Sequence, residues 1–248
     1  MDHRKLVIIP TYNELENISD MVVTVMNLPG NFDLLIIDDG SPDGTAEIVK
    51  SAQKEFSTRL HLLERKGKLG LGTAYITGFK WALEKGYDYI FEMDCDFSHD
   101  PKDLIRLYDA IKDRSFDLAI GSRYITGVNV VNWPIGRVLM SYFASVYVKF
   151  ITGLPIKDAT AGFKCYHRSV LEGIALDKIK FIGYAFQIEM KFTEWKLGFK
   201  LIEVPIIFTD RTRGQSKMSP KIFKEAVLGV IWMKIKSIIS PYRLNQIG

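Results

Sequence analysis

Short apolar runs alternate with longer amphipathic stretches along the first half of this 248-residue chain. The apolar runs have the length and composition of buried strands, and they lie at residues 6–9, 33–37, 60–63, 87–93 and 116–120. The stretches between them repeat apolar residues at helical spacing and end near residues 26, 56, 84 and 112. Strands that alternate with helices in this way form parallel sheets with helices on both faces. We therefore predict an α/β, Rossmann-like domain with a mainly parallel sheet flanked by helices.

Polar side chains follow the predicted strands one after another: Tyr12 and Glu14, Asp38 and Asp39, Asp94 and Asp96, and Arg123. Ligands of open parallel sheets bind beyond the carboxyl ends of the strands. A single acidic residue at a strand end is usually a helix cap or a turn former. The succession of such residues along one edge predicts a functional site there.

The segment Asp94-Cys95-Asp96-Phe97-Ser98-His99 carries the most specific chemistry of this edge. Residues i and i+2 of a strand share a face, so the two carboxylates can converge where the strand ends. Two hard oxygen ligands beside a phosphate-bearing molecule are a typical setting for Mg²⁺ or Mn²⁺. The alternative is that Asp96 or Ser98 only caps the helix that begins near Pro101.

The glycine-rich passage at residues 66–72 does not make this a dinucleotide site. It follows the third predicted strand, whereas the first strand leads into Pro10-Thr-Tyr-Asn-Glu14 instead of a glycine fingerprint. No Gly-Lys-Ser/Thr phosphate loop occurs in the sequence. The acidic edge is better suited to a nucleotide whose base and ribose meet carboxylates and whose phosphates are held through a metal ion.

Charge is distributed unevenly along the chain. Residues 211–248 contain eight Lys or Arg and one acidic residue, a net charge of +7, whereas the first 210 residues carry −3. A basic and apolar end suits a membrane surface or a phosphate-bearing substrate, and no nucleic-acid-binding motif accompanies it. Two cysteines without metal-like spacing indicate neither a disulfide scaffold nor a zinc site, and the chain begins without a signal-peptide pattern, which fits a cytoplasmic protein.

Residues 220–239 combine four lysines with many apolar side chains, among them Trp232. The most apolar part, residues 226–233, is far shorter than the roughly twenty residues needed to span a bilayer. The segment is therefore either a helix at the membrane interface or a helix docked on the catalytic domain with a basic edge. Residues 128–134 and 138–140 form a second apolar candidate for lipid contact.

Taken together and in order, these motifs resemble those of the family-2 glycosyltransferases with the GT-A fold, and more narrowly the dolichol-phosphate or polyprenol-phosphate mannosyltransferases. The resemblance rests on Pro10–Glu14, Ile36–Thr45, Leu69–Tyr75, Met93–His99, Gly121–Tyr124, Asp158–Lys164 and Phe208–Lys217. It implies a GT-A catalytic domain over residues 1–217 and a basic amphipathic helical segment over residues 218–248.

The resemblance also implies a role for each matching residue. Pro10, Tyr12, Glu14, Ile37 and Asp39 would hold the guanosine of GDP-mannose, and Asp94, Cys95 and Asp96 would line the diphosphate and the metal. The Mg²⁺ or Mn²⁺ ligands would be Asp94, Asp96 and Ser98. Arg123, Arg211 and Lys217 would face the diphosphate and sugar, and Arg137 with Ser141 would hold the acceptor phosphate. Arg137 and Ser141 are four residues apart in a predicted helix over residues 136–151, so they share one face.

The expected reaction is an inverting transfer of mannose from GDP-mannose to a polyprenol phosphate, giving a β-linked product at the cytoplasmic face of a membrane. A membrane-anchoring partner protein is compatible with this expectation. The alternatives are UDP-glucose or another nucleotide sugar as donor, a processive polysaccharide transferase and a non-catalytic nucleotide-sugar sensor. The processive transferase lacks support because the sequence contains no Gln-x-x-Arg-Trp motif.

Three further residues have expectations of their own. For Asp158 we expect contact with the sugar first, and a general base or a loop-shaping role second. For His99 we favour a hydrogen bond at the helix start over a metal ligand. Cys165 is most simply a core residue.

Overall fold

The computed structural model describes residues 3–211, 213, 220–240 and 242–244, with the backbone alone described for Tyr184 and for residues 220–226. The described residues form the following strands: β1 Lys5–Thr11, β2 Phe32–Asp38, β3 Leu60–Glu64, β4 Tyr89–Glu92, β5 Leu118–Ser122, β6 Val130–Val131, β7 Lys164–His167, β8 Leu201–Pro205 and β9 Phe208–Thr209. The helices are α1 Leu15–Met26, α2 Thr45–Ala52, α3 Leu71–Glu84, α4 Asp103–Asp109, α5 Ile135–Thr152, α6 Arg168–Gly173, α7 Tyr184–Lys196 and α8 Pro220–Ile239, with a 3-10 turn at Leu176–Lys178.

The main sheet has seven strands in the order β3-β2-β1-β4-β7-β5-β8. All neighbouring pairs are parallel except those of β7, which runs antiparallel between β4 and β5. The predicted α/β class with a mainly parallel sheet is confirmed. The carboxyl ends of β1, β2, β3, β4, β5 and β8 consequently lie along one edge of the sheet.

Both faces of the sheet are buried, and this explains the continuous apolar runs in the sequence. In β1, Leu6 and Ile8 face a core formed with α3 and α7, whereas Val7 and Ile9 face a core formed with α1 and α4. On the first face, a side chain at Gly78 would approach Ile8 to 2.8 Å, so this glycine allows α3 to pack directly on the sheet.

Two predicted boundaries move in a way that matters for the site. Strand β4 ends at Glu92, one residue before the predicted end at residue 93. Asp94 is therefore the second residue after the strand, and not the first. Strand β5 spans Leu118–Ser122, later than the predicted 116–120, because the backbone N–H groups of Asp117 and Leu118 both bond to the Lys200 carbonyl where β8 begins alongside.

A small second sheet joins β6 to β9 in parallel. Strand β9 also contacts the segment after β4, since Thr209 N–H donates to the Ser98 carbonyl over 3.1 Å and His99 forms a bridge with Phe208. It therefore brings residues 210 and 211 to the carboxyl-terminal edge of the main sheet.

Helix α8 packs against α5 and α7, and Val230 and Met233 are buried in the first core. Leu228, Ile231, Ile235 and Ile238 are exposed. The helix is thus docked on the domain and still presents apolar side chains to the outside. The proposed division between residues 217 and 218 lies outside the described residues. None of the helices in the described ranges has the length and apolar character needed to cross a membrane.

Candidate active site

The two carboxylates after β4 lie at the edge where the parallel strands end. Asp96 is buried, and its Oδ1 accepts a 3.0 Å hydrogen bond from Ser98 N–H while its Oδ2 pairs with Arg211 Nη2 at 2.8 Å. Phe97 has a φ of +57°, a left-handed conformation that non-glycine residues rarely adopt. This turn folds the chain back so that Ser98 N–H reaches the carboxylate two residues earlier. Backbone strain of this kind is frequent at functional sites.

The described residues give Asp94 no charge that fully balances its own. Burial, followed by the negative charge of Asp96, raises the pKa of Asp94 to about 7, and the nearby Arg211 offsets this only in part. A divalent cation between the two carboxylates would supply the balance, and carboxylate oxygens suit Mg²⁺ and Mn²⁺. The residues therefore fit such an ion.

The described residues contain no group of three His, Cys, Asp or Glu side chains that could hold a metal. An ion would rest on Asp94 and Asp96, with the buried Ser98 beside them and bound phosphates completing its coordination. Cys95, between the aspartates, is buried in the second core, so its place calls for a small apolar side chain.

Of the two acids that follow the apolar run of β2, one shapes the loop and the other lies in an ion pair. Asp38 accepts hydrogen bonds from Thr11 Oγ1 at 2.9 Å and Ser41 Oγ at 2.6 Å. Asp39 Oδ1 pairs with Arg65 at 2.6 Å, and both side chains are largely buried. Arg65 was not predicted as a site residue. The sequence could have indicated it, because a basic residue at position 65 directly follows β3 and precedes the glycine-rich passage at residues 66–72.

The remaining residues expected at the nucleoside occupy the same edge. Tyr12 is half-buried, with the Lys68 ammonium 5.2 Å from its ring centre. Glu14 accepts a 3.0 Å hydrogen bond from Asn17 Nδ2, at the start of α1. Pro10 and Ile37 are register partners in β1 and β2, and the Ile37 side chain is fully buried in the core, so contact of Ile37 with a ligand stays a prediction.

Arg123 and Asp158 form a buried ion pair. Asp158 accepts from Arg123 backbone N–H at 3.0 Å, from Nε at 2.7 Å and from Nη2 at 2.6 Å. Burial alone would raise the pKa of Asp158, but the charge and hydrogen bonds of Arg123 outweigh it and lower that pKa. Thr160 accepts another 2.7 Å hydrogen bond from Arg123 Nη2. Both groups are engaged with each other, which favours the loop-shaping role among those considered for Asp158. Contact of Arg123 with a diphosphate stays a prediction.

A chain of charged groups links the predicted acceptor side to the carboxylate pair. Arg137 Nη1 donates to Asp210 Oδ1 at 2.8 Å, and Arg211 N–H donates to the same oxygen at 3.1 Å. The Arg211 side chain in turn pairs with Asp96. Asp210 was not predicted as a site residue, although it lies within one of the motifs that carry the family resemblance. Strand β9 positions it, because Asp210 N–H donates to the Val131 carbonyl over 3.0 Å.

Ser141, a predicted acceptor residue, and Trp133, predicted only as part of the apolar segment 128–134, lie beside Tyr124 and Arg137 respectively. Ser141 lies one helical turn after Arg137, beside the hydroxyl of Tyr124. Trp133 packs its ring 4.1 Å from the Arg137 guanidinium and fixes its orientation. Lys217 lies outside the described residues.

His99 packs against Phe208 of β9. Its ring lies between Phe163 and Phe208, with ring centres 4.9 and 5.0 Å away, and burial lowers its pKa to about 4. Its Nδ1 has no hydrogen-bond partner among the described residues, so the helix-start hydrogen bond that we favoured is not seen from this atom. Packing under Phe208 is the contact that the structure gives this ring.

Four fully buried charged side chains lie next to the site, on β4, β7 and α7: Glu92, Lys164, Lys191 and Glu194. Glu92 contacts Lys164 Nζ at 3.0 Å. Lys191 Nζ donates to the Ala161 carbonyl at 2.5 Å, in the loop that carries Asp158 and Thr160, and burial lowers the pKa of Lys191 to about 7. This network ties α7 to the loop that holds Arg123.

Two relatives of known name match this chain over most of its length. The chain is 46% identical over 227 residues to the polyprenol monophosphomannose synthase of Mycolicibacterium smegmatis, covering 92% of this chain and 85% of that protein. It is 44% identical over 227 residues to the undecaprenyl-phosphate mannosyltransferase of Micrococcus luteus, covering 92% of each.

Solved structures with low sequence identity share the fold. The glucosyl-3-phosphoglycerate synthase of Mycobacterium tuberculosis, in complex with Mn²⁺, UDP and glucosyl-3-phosphoglycerate, superposes with a TM-score of 0.66 at 16% identity, covering 95% of this chain and 79% of that one. A mannosyltransferase of Pyrobaculum calidifontis in complex with GDP-mannose and Mn²⁺ gives 0.56 at 16% identity, covering 94% and 70%. The predicted GT-A fold is confirmed. The family model described as glycosyl transferase family 2 matches residues 6–175, and the chain belongs to that family.

Proposed function

We propose that this glycosyltransferase moves mannose from GDP-mannose to a polyprenol phosphate, with inversion at the anomeric carbon. The names of the two relatives at 44–46% identity support the sugar and the class of acceptor. The observation that carries the proposal is the continuous chain Arg137–Asp210–Arg211–Asp96, which joins a cation suited to an acceptor phosphate to the carboxylates suited to a metal-bound donor.

On the donor side, Asp94 and Asp96 would hold Mg²⁺ or Mn²⁺, with Ser98 beside them. The ion would neutralise negative charge on the diphosphate as the bond to the sugar breaks. Arg211, which contacts Asp96, would stabilise the same charge from the protein, and Lys217 would add to it. Asp39 and Arg65, with Tyr12, Glu14 and Ile37, form the proposed nucleoside end of the site.

On the acceptor side, a phosphate monoester has a second pKa of about 6, so it is largely a dianion at neutral pH. It therefore needs positioning more than deprotonation by a protein base. Arg137, aligned by Asp210 and Trp133, would hold the acceptor phosphate together with Ser141. Attack from the side opposite the diphosphate gives the β-linked product.

The exposed face of α5 supports a lipid acceptor. Ile135, Leu139, Phe143 and Phe150 are all exposed, and Phe150 is the most exposed at 86%. At about 100° per residue these side chains lie on the other side of α5 from Arg137, so this apolar series supports contact of the helix with a membrane and not a path for the lipid from Arg137. With the exposed side of α8, it forms the surface by which we propose that the enzyme associates peripherally with the cytoplasmic face of a membrane.

The direct test is incubation of the purified chain with Mg²⁺ or Mn²⁺, a short-chain polyprenyl phosphate and a panel of radiolabelled nucleotide sugars. We expect label in the lipid from GDP-mannose and a β configuration by NMR of the product. Transfer from UDP-glucose alone would show that UDP-glucose, and not GDP-mannose, is the donor. An α-linked product would exclude inversion. Nucleotide-sugar binding without transfer would favour the non-catalytic sensor.

A paired variant tests the metal site. Asp96→Ala should abolish metal-dependent transfer, whereas Asp100→Ala removes an exposed aspartate four residues later and should leave it intact. Full activity of Asp96→Ala would show that Asp96 is only structural.

A further inference from the structure

A cavity of about 500 Å³ lies between α7, the end of α8 and residues 174–179. None of the donor, metal or acceptor residues that the structure describes lines it. Its volume is in the range of cavities that hold small ligands, which is about 300–1,000 Å³. It is therefore a separate candidate binding site.

The charge of the lining selects the class of ligand. Among the described residues, three cationic side chains line the cavity, Lys178, Lys236 and Arg243, against one carboxylate, Glu189, which leaves these residues with a net charge of +2. The Glu189 carboxylate already accepts hydrogen bonds from the backbone N–H groups of Lys180 at 2.9 Å and Phe181 at 3.0 Å. An anion is the ligand that balances this lining.

Two hydroxyls in the cavity have unused hydrogen-bonding capacity. Thr193 is only 5% exposed, and its hydroxyl lies near that of Tyr242. Neither oxygen makes a hydrogen bond of normal geometry within the described part of the chain. A contact between the two hydroxyls can use only one of their two O–H donors, and a phosphate oxygen would provide an acceptor for the other.

The surroundings of the cavity distinguish a lipid from a free anion. Ile239 lines the cavity and is 78% exposed, and its neighbour Ile238 is 70% exposed. Ile174 and Leu197 continue the apolar lining inward. Cations beside exposed isoleucines match the headgroup and the upper acyl chain of an anionic lipid.

We propose that this cavity binds the phosphate headgroup of an anionic phospholipid, with the acyl chains lying on the exposed isoleucines at the end of α8. This site goes beyond the transfer reaction and does not depend on which donor or acceptor the enzyme uses. It gives the C-terminal part of the chain a specific lipid contact in addition to general attraction between its basic residues and a membrane.

The first test measures co-sedimentation of the full chain with phosphatidylglycerol vesicles and with phosphatidylcholine vesicles. The double variant Lys178→Gln, Arg243→Gln should lower affinity for phosphatidylglycerol by roughly thirtyfold. The control Lys54→Gln, Lys85→Gln removes the same charge from exposed positions that do not line the cavity, and should have a much smaller effect. Equal losses in both variants would overturn the proposal, because net charge alone would then explain binding.

The second test changes the cavity without changing its charge. Thr193→Leu fills the space beside Tyr242, removes one of the two hydroxyls of the cavity and places a good helix former in α7. We expect several-fold weaker binding to phosphatidylglycerol vesicles with an unchanged or higher melting temperature. Unaltered vesicle binding in a folded Thr193→Leu protein would exclude the cavity as the site.

A third arm separates the two sources of phosphate. Inorganic phosphate at millimolar concentration should compete only weakly with vesicles, because it cannot use the apolar surface. Strong competition by phosphate would assign the cavity to a free anion and overturn the lipid assignment. Transfer to a water-soluble short-chain acceptor, measured without vesicles, should be equal in the wild type and in these variants, so failure of this site is distinguishable from failure of the proposed reaction.

Discussion

Two arginine–aspartate pairs lie near the proposed acceptor side, and they differ in burial. In the Arg123–Asp158 pair the side chains are 9% and 0% exposed, and Asp158 accepts from both Nε and Nη2 of Arg123. In the Arg137–Asp210 pair both side chains are 26% exposed, with a single 2.8 Å contact. Trp133 lies beside both guanidinium groups, 5.6 Å from that of Arg123 and 4.1 Å from that of Arg137.

The difference bears on the two roles predicted from the sequence, contact with the diphosphate and sugar for Arg123 and with the acceptor phosphate for Arg137. A desolvated bidentate pair has lost its water and satisfies its own charges, so a ligand could use Arg123 only by disrupting a buried interaction. The partly exposed single contact between Arg137 and Asp210 is weaker, and a phosphate dianion can share or displace it. We infer that Arg123 mainly fixes the loop at residues 158–163, whereas Arg137 is available to the acceptor.

The largest expected effect is on stability. Asp158→Ala leaves the Arg123 guanidinium buried without its partner, which should lower the free energy of unfolding by about 3–5 kcal/mol. The matched change Asp210→Ala should cost less than about 1 kcal/mol, since its pair is partly solvated. Urea unfolding of the two variants measures both values. Similar losses for the two would contradict the division between a structural and an available pair.

The second effect is on activity. Asp210→Ala removes the group that aligns Arg137 and Arg211, so kcat/KM for the acceptor should fall about ten- to a hundredfold while the fold is retained. Asp20→Ala, which breaks an exposed pair with Arg213, is the control and should leave kcat/KM unchanged. A wild-type rate in Asp210→Ala would remove this residue from the proposed link between donor and acceptor.

The parallel part of the fold could be predicted because strands that are buried on both faces have continuous apolar sequences. Helix α7 could not, since its buried residues include Lys191 and Glu194, which obscure the apolar pattern. Strand β8 also contains a polar residue, Glu203, whose carboxylate accepts from the backbone N–H groups of Lys157 and Asp158. In both elements, long-range hydrogen bonds replace the apolar contacts that periodicity detects.

The site, like the fold, could be predicted only as far as it depends on the local sequence and on the strand topology. Residues at strand ends, such as Asp94 and Asp96, could be grouped because parallel topology brings them to one edge. The partners that decide what each group does are distant in sequence: Arg123 and Asp158 are 35 residues apart, and Arg137 and Asp210 are 73 apart. No spacing rule connects them, so the expectation of sugar contact for Asp158 could not anticipate its ion pair.

A smaller effect tests the aromatic residue that the two pairs share. Trp133→Leu removes a cation–π contact of about 1 kcal/mol from Arg137 and should raise the KM for the polyprenyl phosphate by roughly fivefold, with little change in the KM for GDP-mannose. Arg123 keeps its hydrogen bonds to Asp158, so stability should change less than in Asp158→Ala. Steady-state kinetics with each substrate varied in turn distinguishes the two constants. An equal rise in both would mean that Trp133 supports the whole site instead of its acceptor side.

The smallest effect concerns pH and follows from the sign of the Asp158 shift. The pKa of Asp158 in the folded protein lies below its usual 3.8, so the folded state favours the carboxylate. The resulting stability is fully present above the unfolded pKa and is lost as pH falls through the lower folded value. The difference in unfolding free energy between wild type and Asp158→Asn should therefore narrow between about pH 5 and about pH 3. The difference for Asp210→Asn should stay small throughout, since a half-exposed pair contributes little at any pH. A gap for Asp158→Asn that stays constant over this range would mean that hydrogen bonding or packing, and not the charge of Asp158, makes the buried pair different from the exposed one.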